Sequence, residues 1–449
     1  MSLRLLHYSD IENAYDDAAR IGRLAGVIES RRDDRTLVVG TGDNTAPGVL
    51  ALETEGRHAL EFFDAIAPDA ETFGNHDFDF GPAKTRDIVA DSPQPWLSAN
   101  VYEPDGERRF ADVSASLVVE RDGTRVGLFG LTDPKTPSMC PAAGDLVFAD
   151  PIEAASETVA DLRSRGVDHV VVLSHLGDGD DELARAVDVD AILGGHLHSE
   201  RCDFVDGTLL TRPGANGGVL WEVELGEEAA TATRHDVTEA PVDDSVADRL
   251  RARMDATGLS DVVAHVSNPV MRNREHRYDG ECRIGNLVAD AYRFVTDADV
   301  AFTNTGGLRD GPPLSGDVTV ADLVGLSPFA GILQTAEVSG GDLRALVECA
   351  ATPPERLAHK RWFGHVSGLE VVWDREAMEL VELTHRGEPV DTEATYTLAT
   401  NGFVVDTEQF PAPTPDDVVA DHGVQYDAIV AYARQCGLDV ELDGRLRDV

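Results

Sequence analysis

Through the first half of the chain, short apolar runs alternate with amphipathic stretches. This is the pattern of strands buried on both faces and the helices that cover them. Leu3 to Tyr8 predicts a strand, and Ala18 to Ser30 predicts a helix because Ile21, Leu24, Ala25 and Ile28 fall at helical spacing. Thr36 to Gly40 follows as a strand and Val49 to Phe63 as a second helix. Further strands fit Val113 to Val119, Arg125 to Leu131, Val167 to Ser174 and Ala191 to Leu193, with a helix over Pro151 to Arg165. Thr208 to Leu210 and Val219 to Leu225 read as closing strands, the latter alternating in the antiparallel manner. The alternation predicts a layered α/β domain over residues 1–239, with its loops at the strand ends.

The pattern then changes. Gly226 to Asp244 has little apolar content, and Val246 to Met254 fits a short helix, so residues 240–261 read as a linker with a connecting helix. Beyond it, helix Ile284 to Val295, strands Val300 to Thr303 and Ile332 to Val338, helix Gly341 to Ala350 and strand Gly368 to Trp373 predict a second, α+β domain over residues 262–449. Phe410 to Asp417 holds three prolines and reads as a loop, and no internal repeat is present.

Composition narrows the function. Lys and Arg number 38 against 82 Asp and Glu, a formal charge of −44. A duplex nucleic acid is thereby excluded as a partner, since its affinity rests on neutralising phosphates with basic residues. The apolar runs are strand-sized, far below the roughly 20 residues of a spanning helix, and Met1 to Ser9 runs straight into a polar cluster, so no membrane and a cytoplasmic location are expected. Only Lys84, Lys135 and Lys360 are lysines. Dispersed carboxylates with Arg in place of Lys suit a protein of molar salt, where the Debye length falls to about 3 Å. Cys140, Cys202, Cys282, Cys349 and Cys436 form no CxxC pair and are expected to be reduced and mostly buried.

Five short segments concentrate the chemistry: His7 to Glu12, Gly42-Asp43-Asn44, Gly74 to Asp79, Ser174 to Gly177, and Gly194-Gly195-His196-Leu197-His198. Each follows a predicted strand, so all five can meet at one sheet edge, where α/β folds build their sites. Clusters of Asp, Asn, Glu and His at strand ends would otherwise leave many buried polar groups needing partners. His7 reads as structural.

These segments resemble the motifs D-x-H, G-D, G-N-H-[DE], H and G-H-x-H of the calcineurin-like metallophosphoesterases, and more closely their 5′-nucleotidase branch. The resemblance implies an α/β/β/α first domain with two divalent ions bridged by Asp43. One ion would take Asp10, Glu12, Asp43 and His198, the other Asp43, Asn75, His175 and His196. His76 would be the catalytic histidine, oriented by Asp79. Glu12 departs from the pattern, which has His there. Either it joins the metal, giving a harder site that favours Mn²⁺ or Mg²⁺ over Zn²⁺, with Co²⁺ also possible, or it points to solvent.

In the second domain, Asn304-Thr305-Gly306-Gly307-Leu308-Arg309 resembles the N-x-G-G-[IL]-R segment of the 5′-nucleotidase C-terminal domain, accompanied by Glu281 to Asn286 and Ser327-Pro328-Phe329. The resemblance implies nucleoside contacts from Asn304, Gly307 and Arg309 and a stacking face from Phe329. The second aromatic of this clamp is not preserved in place, leaving Tyr426 or Phe403, and an upstream Arg is open among Arg274, Arg277 and Arg283. The expected activity is hydrolysis of a nucleoside 5′-monophosphate or related nucleotide ester. The alternatives are a 2′,3′-cyclic nucleotide or nucleotide-sugar hydrolase, and a weakly catalytic nucleotide-binding protein.

Overall fold

The computed structural model describes residues 3–227, 229–329, 331–352, 362–407 and 409–449, so Met1 and Lys360 lie outside them. Contacts divide the chain into two units, Met1–Thr257 and Gly258–Val449.

In the first unit the apolar runs form two sheets. One has the order Thr231–Asp236, Val219–Leu225, Leu3–Tyr8, Thr36–Gly40. The other has the order Glu200–Val205, Thr208–Pro213, Ala191–Gly194, His169–His175, Thr124–Thr132, Ser116–Arg121. Leu5, Leu37, Val39 and Val223 of the first meet Leu128, Val171, Leu173 and Leu193 of the second in one core. Helices cover the outer faces. Phe62 of Ala59–Ile66 meets Tyr8, while Leu162 of Pro151–Ser164 and Leu183 of Asp180–Ala186 join Phe129, Val172 and Ile192. This is the α/β/β/α layering. Truncating a core leucine such as Leu173 to alanine should cost about 2–5 kcal/mol.

Strand direction positions the site. Leu3–Tyr8 runs parallel to Thr36–Gly40, and His169–His175 runs parallel to both Thr124–Thr132 and Ala191–Gly194. Within each sheet these strands therefore release their chains at a common edge, and the loops after Leu3–Tyr8, Thr36–Gly40, His169–His175 and Ala191–Gly194 carry four of the chemical segments. Gly74 to Asp79 follows the short strand Glu71–Thr72, which pairs with Trp96–Leu97.

Three local differences from the sequence pattern have physical causes. The helix expected over Val49 to Phe63 is two, Val49–Thr54 and Ala59–Ile66, because Glu55 and Gly56 turn left-handed at φ 51° and 83°. A Cβ at Gly56 would lie 2.9 Å from Ile88. The polar stretch after Leu225 contains the strand Thr231–Asp236, which pairs on one side only and needs little apolar content. Within the expected linker 240–261, helix Asp244–Ala256, capped by the Asp243 carboxylate, packs on helix Ala18–Arg31 and belongs to the first unit. Gly22 permits this approach, since a Cβ there would be 2.8 Å from the Asp243 carbonyl. The cysteines are free, but only Cys140 and Cys282 are buried, and Cys202 and Cys436 are exposed.

The second unit holds a five-stranded sheet in the order Gly364–Ser367, Val300–Asn304, Thr395–Asn401, Ile332–Ser339, Val418–Val424. Val300–Asn304 and Thr395–Asn401 are parallel, so Asn304 and Asn401 end adjacent strands together. Helix Arg283–Thr296 presents Ile284, Leu287, Val288, Ala291 and Tyr292 to the interior, and helices Gly340–Ala351 and Gln425–Cys436 complete the cover. A smaller sheet follows the order Glu388–Pro389, Glu379–His385, Glu370–Asp374, Leu446–Asp448.

Candidate functional site

The loops at the strand ends of the first unit bring together three groupings of potential metal donors: Asp43, His175 and His196; Asp10, Glu12 and His198; and Glu12, Asp43 and His76. Every one of the sequence-derived candidates that is Asp, Glu or His, except Asp79, falls in at least one of them. Glu12 is turned inward: its side chain is 4% exposed and lies 2.8 Å from His198 Nε2. Asn75 is buried, and its Oδ1 is one of the few buried side-chain oxygens with no hydrogen-bond partner among the described residues. An orphaned buried acceptor, next in the chain to the His76 N–H that bonds Asp43, together with three buried carboxylates, is what divalent ions would satisfy, so the donor set fits them.

The backbone is shaped to aim these groups. Asp10, Glu12, Asp43 and His196 all have left-handed φ, from 47° to 72°. Such conformations cost about 1–3 kcal/mol each in a residue with a side chain and persist where the surroundings enforce them. Gly42, at φ 88°, lets the chain pass His175: a Cβ there would lie 2.7 Å from its Nδ1 and 2.5 Å from the Gly74 nitrogen.

Hydrogen bonds then fix each donor. His175 Nδ1 donates to the Thr41 carbonyl at 2.7 Å, which leaves Nε2 as the donor atom, 3.0 Å from Asp43 Oδ2. The His76 backbone N–H donates to Asp43 Oδ1 at 2.6 Å, and its ring Nδ1 lies 2.9 Å from Asp79 Oδ2. The His196 N–H donates to Asp10 at 3.0 Å. His7 bridges Thr211 and Thr41, a purely structural placement.

Charge is the dominant feature. Burial, together with Asp43 and Glu12, pushes Asp10 up to about 7. Burial opposes ionisation of Asp43 too, but the neighbouring His175 and His76 hold it below the ordinary carboxylate range. Burial would lower His76 and His175, yet Asp43 outweighs it and both are pushed up to about 10. His196 falls to about 4 through burial and the nearby His175. Carboxylates gathered this closely repel one another unless cations stand among them.

The sequence pattern missed Asp77. Its buried carboxylate accepts from the backbone N–H groups of Asp43, Gly74 and Thr45 and from the Thr45 hydroxyl, at 2.6–3.2 Å. It therefore ties the Asp43 loop to the Asn75 loop. Its place inside the Gly74 to Asp79 segment was the only available signal, and the Thr41 carbonyl, being backbone, offered none.

In the second unit, Arg309 is exposed and its guanidinium lies over the Phe329 ring, 4.7 Å from the centroid. Asn304 is buried, with Oδ1 accepting from Asn401 at 3.2 Å, and a Cβ at Gly307 would meet that oxygen at 2.9 Å. Of the three arginines left open, Arg277 reaches the loop: it is buried, donates to the Thr305 carbonyl at 3.2 Å and pairs with Asp310. Arg283 instead donates to the carbonyls of Val440, Asn268 and Pro269. Arg274 lies 6.0 Å from the Tyr278 ring centroid. Tyr426 is half-buried in the first turn of Gln425–Cys436 and Phe403 is exposed, and the neighbouring Gln425 donates from its side-chain amide to the Phe329 carbonyl at 3.2 Å.

Known proteins match this arrangement. The calcineurin-like phosphoesterase model matches residues 3–200, and the 5′-nucleotidase C-terminal domain model matches residues 262–413. The trifunctional nucleotide phosphoesterase protein YfkN of Bacillus subtilis is 26% identical over 514 residues, covering 100% of this chain and 35% of that protein. The endonuclease YhcR of the same organism is 24% identical over 473 residues, covering 93% and 38%. The chain thus spans little more than a third of the length of these two relatives. A 5′-nucleotidase precursor from Thermus thermophilus shares the fold, with a TM-score of 0.76, 24% identity and coverage of 100% and 99%. A calcineurin-like phosphoesterase domain followed by a 5′-nucleotidase C-terminal domain, with buried clusters of metal donors at the strand ends of the first, places this chain in the 5′-nucleotidase-type metallophosphoesterases, a family of metal-dependent phosphoric ester hydrolases.

Proposed function

We propose that this chain hydrolyses nucleoside 5′-monophosphates or related nucleotide esters to nucleoside and phosphate. The observation that carries the reading is the pair of donor groupings, Asp10–Glu12–His198 and Asp43–His175–His196, whose carboxylates and His175 are buried while His198 is exposed, linked through Glu12, Asp43 and His76. Asp10, Glu12, Asp43 and His198 would hold one ion, and Asp43, Asn75, His175 and His196 would hold the other. Glu12 adds a carboxylate where the family pattern has imidazole, so Mn²⁺ is favoured over Zn²⁺. When bound, the ions supply Lewis-acid activation of water and neutralise charge on the phosphoryl group.

The chain's own residues do the rest. Asp79 holds His76 through Nδ1, leaving Nε2 to donate to the phosphoryl group and to return a proton to the departing alkoxide. Asp77 and Thr41 keep Asp43 and His175 in place. In the second unit, Arg309 and Phe329 recognise the nucleoside, Arg309 by its fork of donors and Phe329 by stacking on the base. The free cysteines and the charge of −44 suit a reducing, salt-rich cytoplasm. Among the described residues, no helix is long and apolar enough to cross a membrane.

Elemental analysis after loading with Mn²⁺, Co²⁺ or Zn²⁺, with a phosphate-release screen over nucleotides at high salt, tests this. Two ions per chain with release from monophosphates is the expected result. Cleavage of a 2′,3′-cyclic diester in preference to monophosphates would move the assignment to the diester, and one ion or none without turnover would make the chain a nucleotide-binding protein.

A further inference from the structure

We propose that Gln425 and Tyr292 are positioning residues for nucleoside recognition, holding the segment that carries Phe329. The inference rests on the role given to Phe329 above. Ser327, Pro328, Phe329 and Gly331 lie between helix Val320–Val324 and strand Ile332–Ser339, outside both, so the Phe329 and Gly331 carbonyls need partners from elsewhere. Gln425 supplies two. Its side-chain amide donates to the Phe329 carbonyl at 3.2 Å, and its backbone N–H donates to the Gly331 carbonyl at 2.9 Å. The segment is thereby held at Phe329 and Gly331 by one residue that is nearly 100 positions away in the chain and only 3% exposed.

The orientation of that amide is fixed in turn. The Tyr292 hydroxyl, fully buried in helix Arg283–Thr296, donates to Gln425 Oε1 at 2.7 Å. With Oε1 accepting from Tyr292, the NH₂ end faces the Phe329 carbonyl; a reversed amide would set Oε1 against that carbonyl, acceptor against acceptor. Ser327 and Asn401 adjoin the same hydroxyl, and Asn401 donates to Asn304. One phenol therefore reaches both loops given to the nucleoside, the one bearing Asn304 and the one bearing Phe329. The network is uncharged, so it fixes geometry without altering the electrostatics that a nucleotide meets. The remaining side of the frame is Arg272, buried, whose guanidinium donates to the carbonyls of Arg309 and Gly325.

Steady-state kinetics with AMP and with p-nitrophenyl phosphate, in the Mn²⁺-loaded full chain, test the proposal. Gln425→Leu should raise KM for AMP about 5- to 10-fold, the usual effect of losing a buried hydrogen bond, while kcat stays within about 2-fold and the aryl phosphate is unaffected. Gln425→Glu keeps the acceptor for Tyr292 and loses the donor, so it should behave like Gln425→Leu. Tyr292→Phe removes only the hydroxyl and should raise KM about 2- to 3-fold. Phe329→Ala is the reference. If it raises KM for AMP while the Gln425 variants do not, or if these variants lose both substrates equally, the positioning role is overturned. If Phe329→Ala itself leaves KM for AMP unchanged, the role given to Phe329 fails, and the proposal with it.

Discussion

Seven carboxylates are buried among the described residues, and all of them, Asp10, Glu12, Asp43, Glu71, Asp77, Glu103 and Asp180, lie in the first unit. Around Asn304 and Phe329 the buried polar groups are instead amides, hydroxyls, His365 and two arginines, Arg272 and Arg277. Both units belong to one strongly acidic chain, so average charge does not explain the difference. Burying an anion is expensive unless something pays for it. Glu103 and Asp180 have arginine partners, and Glu71 and Asp77 are held by hydrogen bonds. Asp10, Glu12 and Asp43 sit in donor groupings that, among the described residues, lie in the first unit alone. In the proposed reading the second unit binds through stacking and directed hydrogen bonds, for which a scaffold without buried carboxylates holds geometry and adds nothing to the repulsion of a phosphate ester. The contrast divides the work: one unit supplies electrostatics, the other shape.

The most severe way to break that division is Asp43→Asn. It removes the shared negative charge, so both ions should weaken together and turnover on every substrate should fall by more than about 10³-fold, with elemental analysis showing the loss. His76→Ala should cost about 10²–10³ in kcat while both ions remain, because His76 acts on the phosphoryl group; lost metal in this variant would contradict its role. Arg309→Ala and Phe329→Ala should spare an aryl phosphate but raise KM for nucleotides by about tenfold or more, since a stacked base is worth about 1–3 kcal/mol. Equal losses on both substrates would mean that the second unit does not supply shape.

Subtler changes sharpen the electrostatic half. Glu12→His should move metal preference from Mn²⁺ towards Zn²⁺, read by competition of the two ions for the protein. Identical occupancies in wild type, Glu12→His and Glu12→Ala would show that Glu12 touches no ion. The smallest effect concerns Glu71, which burial raises to about 8 against the hydrogen bond from Tyr8. A carboxyl raised in the folded state contributes stability that is complete below its unfolded value near 4.5 and is lost as pH climbs to about 8. Glu71→Gln cannot ionise, so its urea midpoint should fall less than that of wild type between about pH 5.5 and about pH 8.5.

The same contrast sets what the sequence could disclose. In the first unit the working residues sit in short segments just after strands, so Asp10, Asp43, His76 and His196 could be read together once the strands were placed. Glu12 could be located but not aimed, because its inward direction depends on a left-handed backbone at residues 10 and 12 that no side-chain pattern announces. The second unit scatters its frame over Arg272, Tyr292, Asn401 and Gln425, which meet only through tertiary pairing and look like ordinary helix and loop residues one at a time. Tyr426 drew attention by being aromatic, whereas its neighbour Gln425, which donates to the Phe329 carbonyl, has no conspicuous chemistry. Fold reading failed in a similar place. Thr231–Asp236 is an exposed edge strand whose pairing comes from its neighbour and not from its own hydrophobicity.

Gly42, Gly74 and Gly195 close around the same few atoms. A methyl group at Gly74 would strike the Asp43 carboxylate, and one at Gly195 would come within 2.8 Å of His175 Nδ1 and the Thr41 carbonyl. Descendants of this chain are thus free to exchange one donor side chain for another, but not to thicken the turns that present them. Divergence here should proceed by swapping ligands on a frozen path, so homologues that handle different metals are expected to differ in their donor letters while keeping these three glycines.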